Sequence, residues 1–212
     1  MPAMRGWLTR PPSSRSVERT NMSWLQHVNV KVYARTAALD LTPAIDIFHR
    51  WIQSEYGDHL LLDVADYRHV PAGPGVILVA HEAIYGLDEA GHQLGMLYNR
   101  RTRVAGEAAD AIGLSWREAL AACAQLEKES EFGGELQFDG AVAEVFVNDR
   151  RLAPNDEATA ERLRAELQPL AEHVLGSGCE LRRLGEQRDR IGFLCRGGQE
   201  LSGADAQSRL SG

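Results

Sequence analysis

Apolar and polar residues alternate along HVNVKVY, His27 to Tyr33. Val28, Val30 and Val32 face one way and Asn29 and Lys31 the other, the pattern of a half-buried strand. The period then changes. Thr42 stands where a helix would be capped, and Pro43 suits the first helical position. Ile45, Phe48 and Ile52 recur at helical spacing, and Ile47 and Trp51 widen the stripe. Gly57 ends that segment. Three strands are predicted next, over 60–67, 76–85 and 94–98. The links PAGPG and DEAGH are tight, so these strands should form an antiparallel meander. Ser115-Trp-Arg-Glu118 reads as a capping box opening a helix whose buried face is Trp116, Leu120, Cys123 and Leu126. A strand or hairpin covers 136–147. A third helix starts at Asn155 or Asp156, with Leu163, Leu167, Leu170 and Val174 as its stripe and a kink expected at Pro169. Two strands close the pattern, near 179–184 and 191–195.

This order predicts an α+β fold, a largely antiparallel sheet with three helices packed on it. Strand, helix, strand, strand recurs in the halves 22–113 and 114–197, which suggests a pseudo-repeat of a βαββ unit inside a single domain, 22–197. Residues 1–21 carry four arginines, one acid, three serines and Pro11-Pro12, with no periodicity. They read as a disordered extension, either an over-long start before Met22 or a targeting segment. Residues 198–212 read as a disordered tail.

Composition narrows the function classes. Hydrophobic residues make up 44% and charged residues 25% of the 212, ordinary values for a globular chain. No apolar run approaches the ~20 residues that span a bilayer. The net charge of −7 repels phosphate backbones, so neither nucleic acid nor membrane is expected as a partner. Lys31 and Lys128 are the only lysines. The arginine bias, with abundant Ala and Gly, reads as a GC-rich, bacterial-type coding preference. Cys123, Cys179 and Cys195 are odd in number and lack CxxC spacing. They point to buried thiols in a reducing compartment, hence the cytoplasm.

The densest patch of chemistry is DVADYRHVPAGPGVILVAHEAIYGLD, Asp63 to Asp88. Acid plus histidine equips a site for proton transfer, because His titrates near neutrality and a carboxylate can orient it. Asp66, His81 and Glu82 are therefore the candidate catalytic groups. Asp63, Tyr67, His69, Tyr85 and Asn99 are the candidate binding groups around them. His81 follows the apolar run VILVA, which predicts partial burial. The plainer reading makes His81 a hydrogen-bonded structural histidine, Glu82 a solvent-facing acid, and Asp63 and Asp66 strand-end caps or arginine partners. NDRRLAPN, 148–155, reads as a capping loop between a strand and a helix.

His69, His81 and a carboxylate would make a two-histidine-one-carboxylate metal set. HVNVKV followed by a helix and three strands also resembles one module of the vicinal-oxygen-chelate, glyoxalase-like fold, over residues 27 to about 99. That resemblance implies a metal ligand on the first strand, in the slot of His27. On the fourth strand, LGMLYNR, where the family usually offers a second ligand, this chain has neither acid nor histidine. No metal or other cofactor is expected. Phosphate-cradling glycine loops and the GxSxG nucleophile motif are absent. The expected function is a binding or accessory protein for a small molecule or a protein partner, with a homodimer among the assemblies allowed. The alternative is a small enzyme using the acid and base groups of residues 63–99, with a metal-dependent, glyoxalase-like module as one form of it.

Overall fold

A computed structural model describes residues 23–36 and 39–211. The segment 1–21 lies outside the described residues. Eight strands form one antiparallel sheet in the order β2-β3-β4-β5-β1-β6-β8-β7. They are β1 (Val28–Ala34), β2 (Leu61–Tyr67), β3 (Gly75–Ala80), β4 (Ala83–Asp88), β5 (Gly95–Arg100), β6 (Phe138–Val147), β7 (Glu180–Leu184) and β8 (Gly192–Arg196). Four helices accompany them: α1 (Thr42–Gln53), α2 (Ala108–Leu126), α3 (Glu157–Leu175) and α4 (Gly203–Ser211). The α+β class and the antiparallel sheet follow the sequence reading.

The two halves are arranged alike in the topology, although four strands follow α1 and two follow α3, so a strict βαββ repeat is not present. β1 and β6 pair at the centre of the sheet. Each is followed by a helix and then by strands that return beside it, β5 against β1 and β8 against β6. The earliest strand of each return, β2 or β7, therefore ends at an outer edge.

Alternation on the strands sets two unlike faces. Val28, Val30 and Val32 of β1 are buried under α2. With them lie Leu78, Tyr85, Met96, Tyr98, Ala143 and Cys195, and the apolar sides of Phe48, Trp116, Leu163 and Leu167 complete one core. Residues of opposite parity, Lys31, Tyr33, Glu144, Leu194 and Arg182 among them, occupy the other face. All three cysteines are free and buried.

The differences from the predicted elements have local causes. The strand predicted over 76–85 is two strands, β3 and β4, folded back at His81–Glu82. α2 starts seven residues before Ser115. Glu107 and Asp110 form its capping box, while Ser115 is buried and donates to the Ala111 carbonyl at 2.9 Å. Glu118 cannot close a box at Ser115, because its carboxylate accepts from the Tyr85 hydroxyl. In α1, Thr42 is already helical and Leu41 is the N-cap, without a side-chain cap; Asp40, one residue further out, accepts from the Thr42 amide at 2.9 Å. α3 is capped as expected, Asp156 accepting from the Thr159 amide at 2.8 Å. Within the segment expected to lack order, α4 packs on α2, α3 and β6 and buries Ala206.

Candidate functional site

The turn at His81–Glu82 decides where the predicted site residues go. It resets the parity of β4, so Tyr85 pairs with Leu78 on the helix side, while Ile77 and Val79 lie on the open side. His81 stands at the turn, with 65% of its side chain exposed. The apolar run before it ends in the turn and not in the core, which corrects the expectation of partial burial. Its Nδ1 lies 3.1 Å from Glu82 Oε1.

Glu82 and Tyr85 join a cluster assembled from distant parts of the chain. His59, in the loop before β2, is 9% exposed at its side chain. Its Nε2 is 3.2 Å from the Tyr98 hydroxyl and 3.9 Å from Glu118, and its Nδ1 is 3.5 Å from Glu82 Oε2. Tyr85 donates to Glu118 at 3.1 Å, and Arg100 donates to the Tyr98 hydroxyl at 3.3 Å. Burial raises the pKa of Tyr98 to about 12, and burial with Glu118 beside it raises Tyr85 further. Both hydroxyls are therefore donors at any physiological pH. One Glu82 oxygen is buried without a hydrogen-bond partner. His59 and Glu118 were not among the predicted groups. The only trace in the sequence was the polar Glu118 between the apolar positions Trp116 and Leu120, and it was spent on a capping box.

The remaining candidates stand apart. Asp66 is tied to Arg68, Oδ2 to Nη2 at 2.7 Å. The Arg68 side chain lowers the Asp66 pKa to about 2. Asp63 accepts from the Val64 amide at 2.8 Å. Tyr67 and His69 stack on each other at the end of β2, ring centres 6.2 Å apart. Asn99 lies on the open face of the sheet opposite Asn29. Asp63, Tyr67, Tyr85 and Asn99 therefore do not converge.

A hollow lies elsewhere, on the open face over β1, β6, β8 and β7. It is a groove of about 620 Å³. Val142, Leu184 and Leu194 form its apolar floor, and Arg35, Arg182 and Arg196 stand around it. Arg35 lies 3.9 Å from Asp139. Arg182 and Arg196 have no carboxylate within ion-pair distance among the described residues. Tyr33 lines one wall and donates to Glu144 at 2.8 Å. Burial, with Glu144 beside it, keeps that phenol protonated. A smaller hollow of about 240 Å³ adjoins through Leu184, with Arg190 laid over the Phe146 ring.

Lys31 supports the groove from beside Tyr33. Its ammonium donates to Asp88 at 2.6 Å and to the Ala90 carbonyl at 3.1 Å, and both side chains of the ion pair are buried. Gly95 makes room for it: a Cβ there would lie 2.8 Å from Lys31 Cε. This contact fastens the 89–93 turn, which carries Gln93 to the groove wall.

Among the described residues no group of three or more His, Cys, Asp or Glu is arranged to hold a metal ion. The two ring nitrogens of His59 face different carboxylates, so the cluster does not converge on a point. Among the described residues no helix is long and apolar enough to cross a membrane. No family model matches the chain, and no curated protein matches it.

Proposed function

We propose that this protein binds a small organic anion in the groove on the open face of the sheet. One observation carries the reading. In a chain of net charge −7, Arg182 and Arg196 stand with no carboxylate within ion-pair distance among the described residues, over a floor of Val142, Leu184 and Leu194. Ligand sites pair apolar walls with a few fixed polar groups, and the guanidinium fork matches a carboxylate or phosphate in shape and charge. The ligand class is thus an anionic head group on an apolar body.

The enzyme alternative has the proximity of Glu82 to His59 in its favour, a carboxylate oxygen 3.5 Å from an imidazole nitrogen. That pair sits on the helix side of the sheet, and neither hollow is lined by His59, Glu82 or Glu118. A ligand in the groove is separated from those groups by the sheet itself. A binding role accords better with this separation.

Thermal-shift screening of aliphatic and aromatic carboxylates and phosphate monoesters, followed by calorimetric titration, tests the reading. At least one class should stabilise the chain, more than inorganic phosphate does. Each charged hydrogen bond lost contributes about 1.5–3 kcal/mol, so Arg182→Ala and Arg196→Ala should each weaken binding by roughly 10- to 100-fold. An anion bound with unchanged affinity by the double variant would place the site elsewhere. No response to any anion would remove the proposal.

A further inference from the structure

We propose that a second copy of this chain pairs its β2 against β2, antiparallel, about a two-fold axis at Ala65. β2 is an outer strand of the sheet, so one side of its backbone has no strand beside it among the described residues. Such edges invite pairing and are usually guarded by lysine, proline or charge. The opposite edge is guarded: β7 reads Glu180-Leu-Arg-Arg-Leu. β2 has no lysine or proline; its charges are Asp63 and Asp66, the latter paired with Arg68, and its flanks add apolar surface. Of the five large hydrophobic residues exposed among the described residues, Leu60 (64%), Leu62 (51%), Tyr67 (40%) and Val70 (39%) all lie along this edge.

The outward backbone of β2 has no strand beside it among the described residues, and its Val64 amide, which donates to Asp63, exchanges that partner on pairing; charge selects which strand comes. Joining β2 to β7 would set Leu62 among the β7 charges and leave both ends open for further addition. Joining β2 to itself closes the assembly. The carboxylates then select the register. An axis at Asp63 or at Asp66 would set that acid against its own copy, and like charges directly opposite are destabilising. An axis at Val64 would set Asp63 against Ala65 and Asp66 against Leu62, so that neither carboxylate meets a donor. An axis at Ala65 sets Asp63 opposite Tyr67 of the second copy, whose hydroxyl can donate to it, and Val64 opposite Asp66. The charge on Asp66 is already matched by Arg68 within its own chain. Leu62 then comes near Arg68, whose guanidinium is held by Asp66 of its own chain. The backbone irregularity on β2 lies between Leu61 and Asp63, which leaves 63–67 regular for pairing.

Sedimentation equilibrium of the full chain at about 50 µM should return twice the chain mass. Leu62→Lys places a guard on the edge and should weaken the dimer by on the order of tenfold or more, with an unchanged far-ultraviolet spectrum. Ala65→Cys should form an intermolecular disulfide under mild oxidation, since the three native thiols are buried. A monomer at that concentration overturns the proposal. So does a dimer that is indifferent to Leu62→Lys, or one that fails to cross-link through Ala65→Cys.

Discussion

Replacing Lys31 with Met removes one half of the ion pair that braces the groove. Lys31 and Asp88 are 5% and 8% exposed at their side chains, with nitrogen and oxygen 2.6 Å apart. The Met side chain keeps most of the volume beside Gly95 but leaves Asp88 buried without its cation. Breaking a buried pair from one side costs about 3–5 kcal/mol. Against a total stability of roughly 5–15 kcal/mol, that is a large share. For a chain of this size each kcal/mol moves the melting temperature by about 2–4 °C, so a drop of roughly 6–20 °C is expected. The assay is urea unfolding followed by far-ultraviolet circular dichroism, with thermal melts as a second measure. The double variant Lys31→Met with Asp88→Asn supplies the control. It removes the stranded charge, so it should recover more than half of the loss, a coupling that a double-mutant cycle isolates. Lys31→Met should also weaken anion binding, because the Ala90 carbonyl loses its donor and the turn bearing Gln93 loosens. A loss below about 1 kcal/mol for Lys31→Met, or a double variant no more stable than the single, would refute the reasoning.

The two histidines of the helix-side cluster should respond very differently to alanine. His59→Ala strands partners in a nearly closed site and should cost about 1–3 kcal/mol, whereas His81→Ala, on an exposed turn, should stay within about 0.5 kcal/mol; equal effects in urea titration would contradict the placement. On the alkaline side, the folded pKa values of Tyr33, Tyr56, Tyr85 and Tyr98 are raised, by burial first. Their contribution to stability is whole below the unfolded tyrosine pKa of about 10 and is lost as pH rises through the folded values, which start at about 12 for Tyr98. Tyrosinate absorbance for these four should therefore appear together with unfolding, and smooth titration of all tyrosines before any loss of dichroism would count against their burial.

Much of this protein was legible as local pattern. The alternation in HVNVKVY determined β1 and which of its residues enter the core, because strand side chains alternate whatever the neighbours are. Pro43 located the start of α1 to within a residue, and Asp156 located the cap of α3, because both act on backbone groups a few bonds away. That a strand, a helix and returning strands follow one another in each half was visible for the same reason, although four strands return in the first half and two in the second. Tertiary structure decided the rest. His81–Glu82 reverses the chain without glycine, proline, asparagine or aspartate at the turn, so no local signal divided VILVAHEAIY, and pairing with β2 and β5 fixed the break. Ser115 and Glu118 have the spacing of a capping box, yet burial against β1 and a hydrogen bond from Tyr85 claimed them. His59 meets Tyr98 and Glu118 across gaps of 39 and 59 residues, and Tyr33, Arg182 and Arg196 meet only because β7 and β8 fold back beside β6 and β1. Contacts that distant depend on strand order, which hydrophobic periodicity does not encode, since each strand needs only an apolar face and not a particular neighbour.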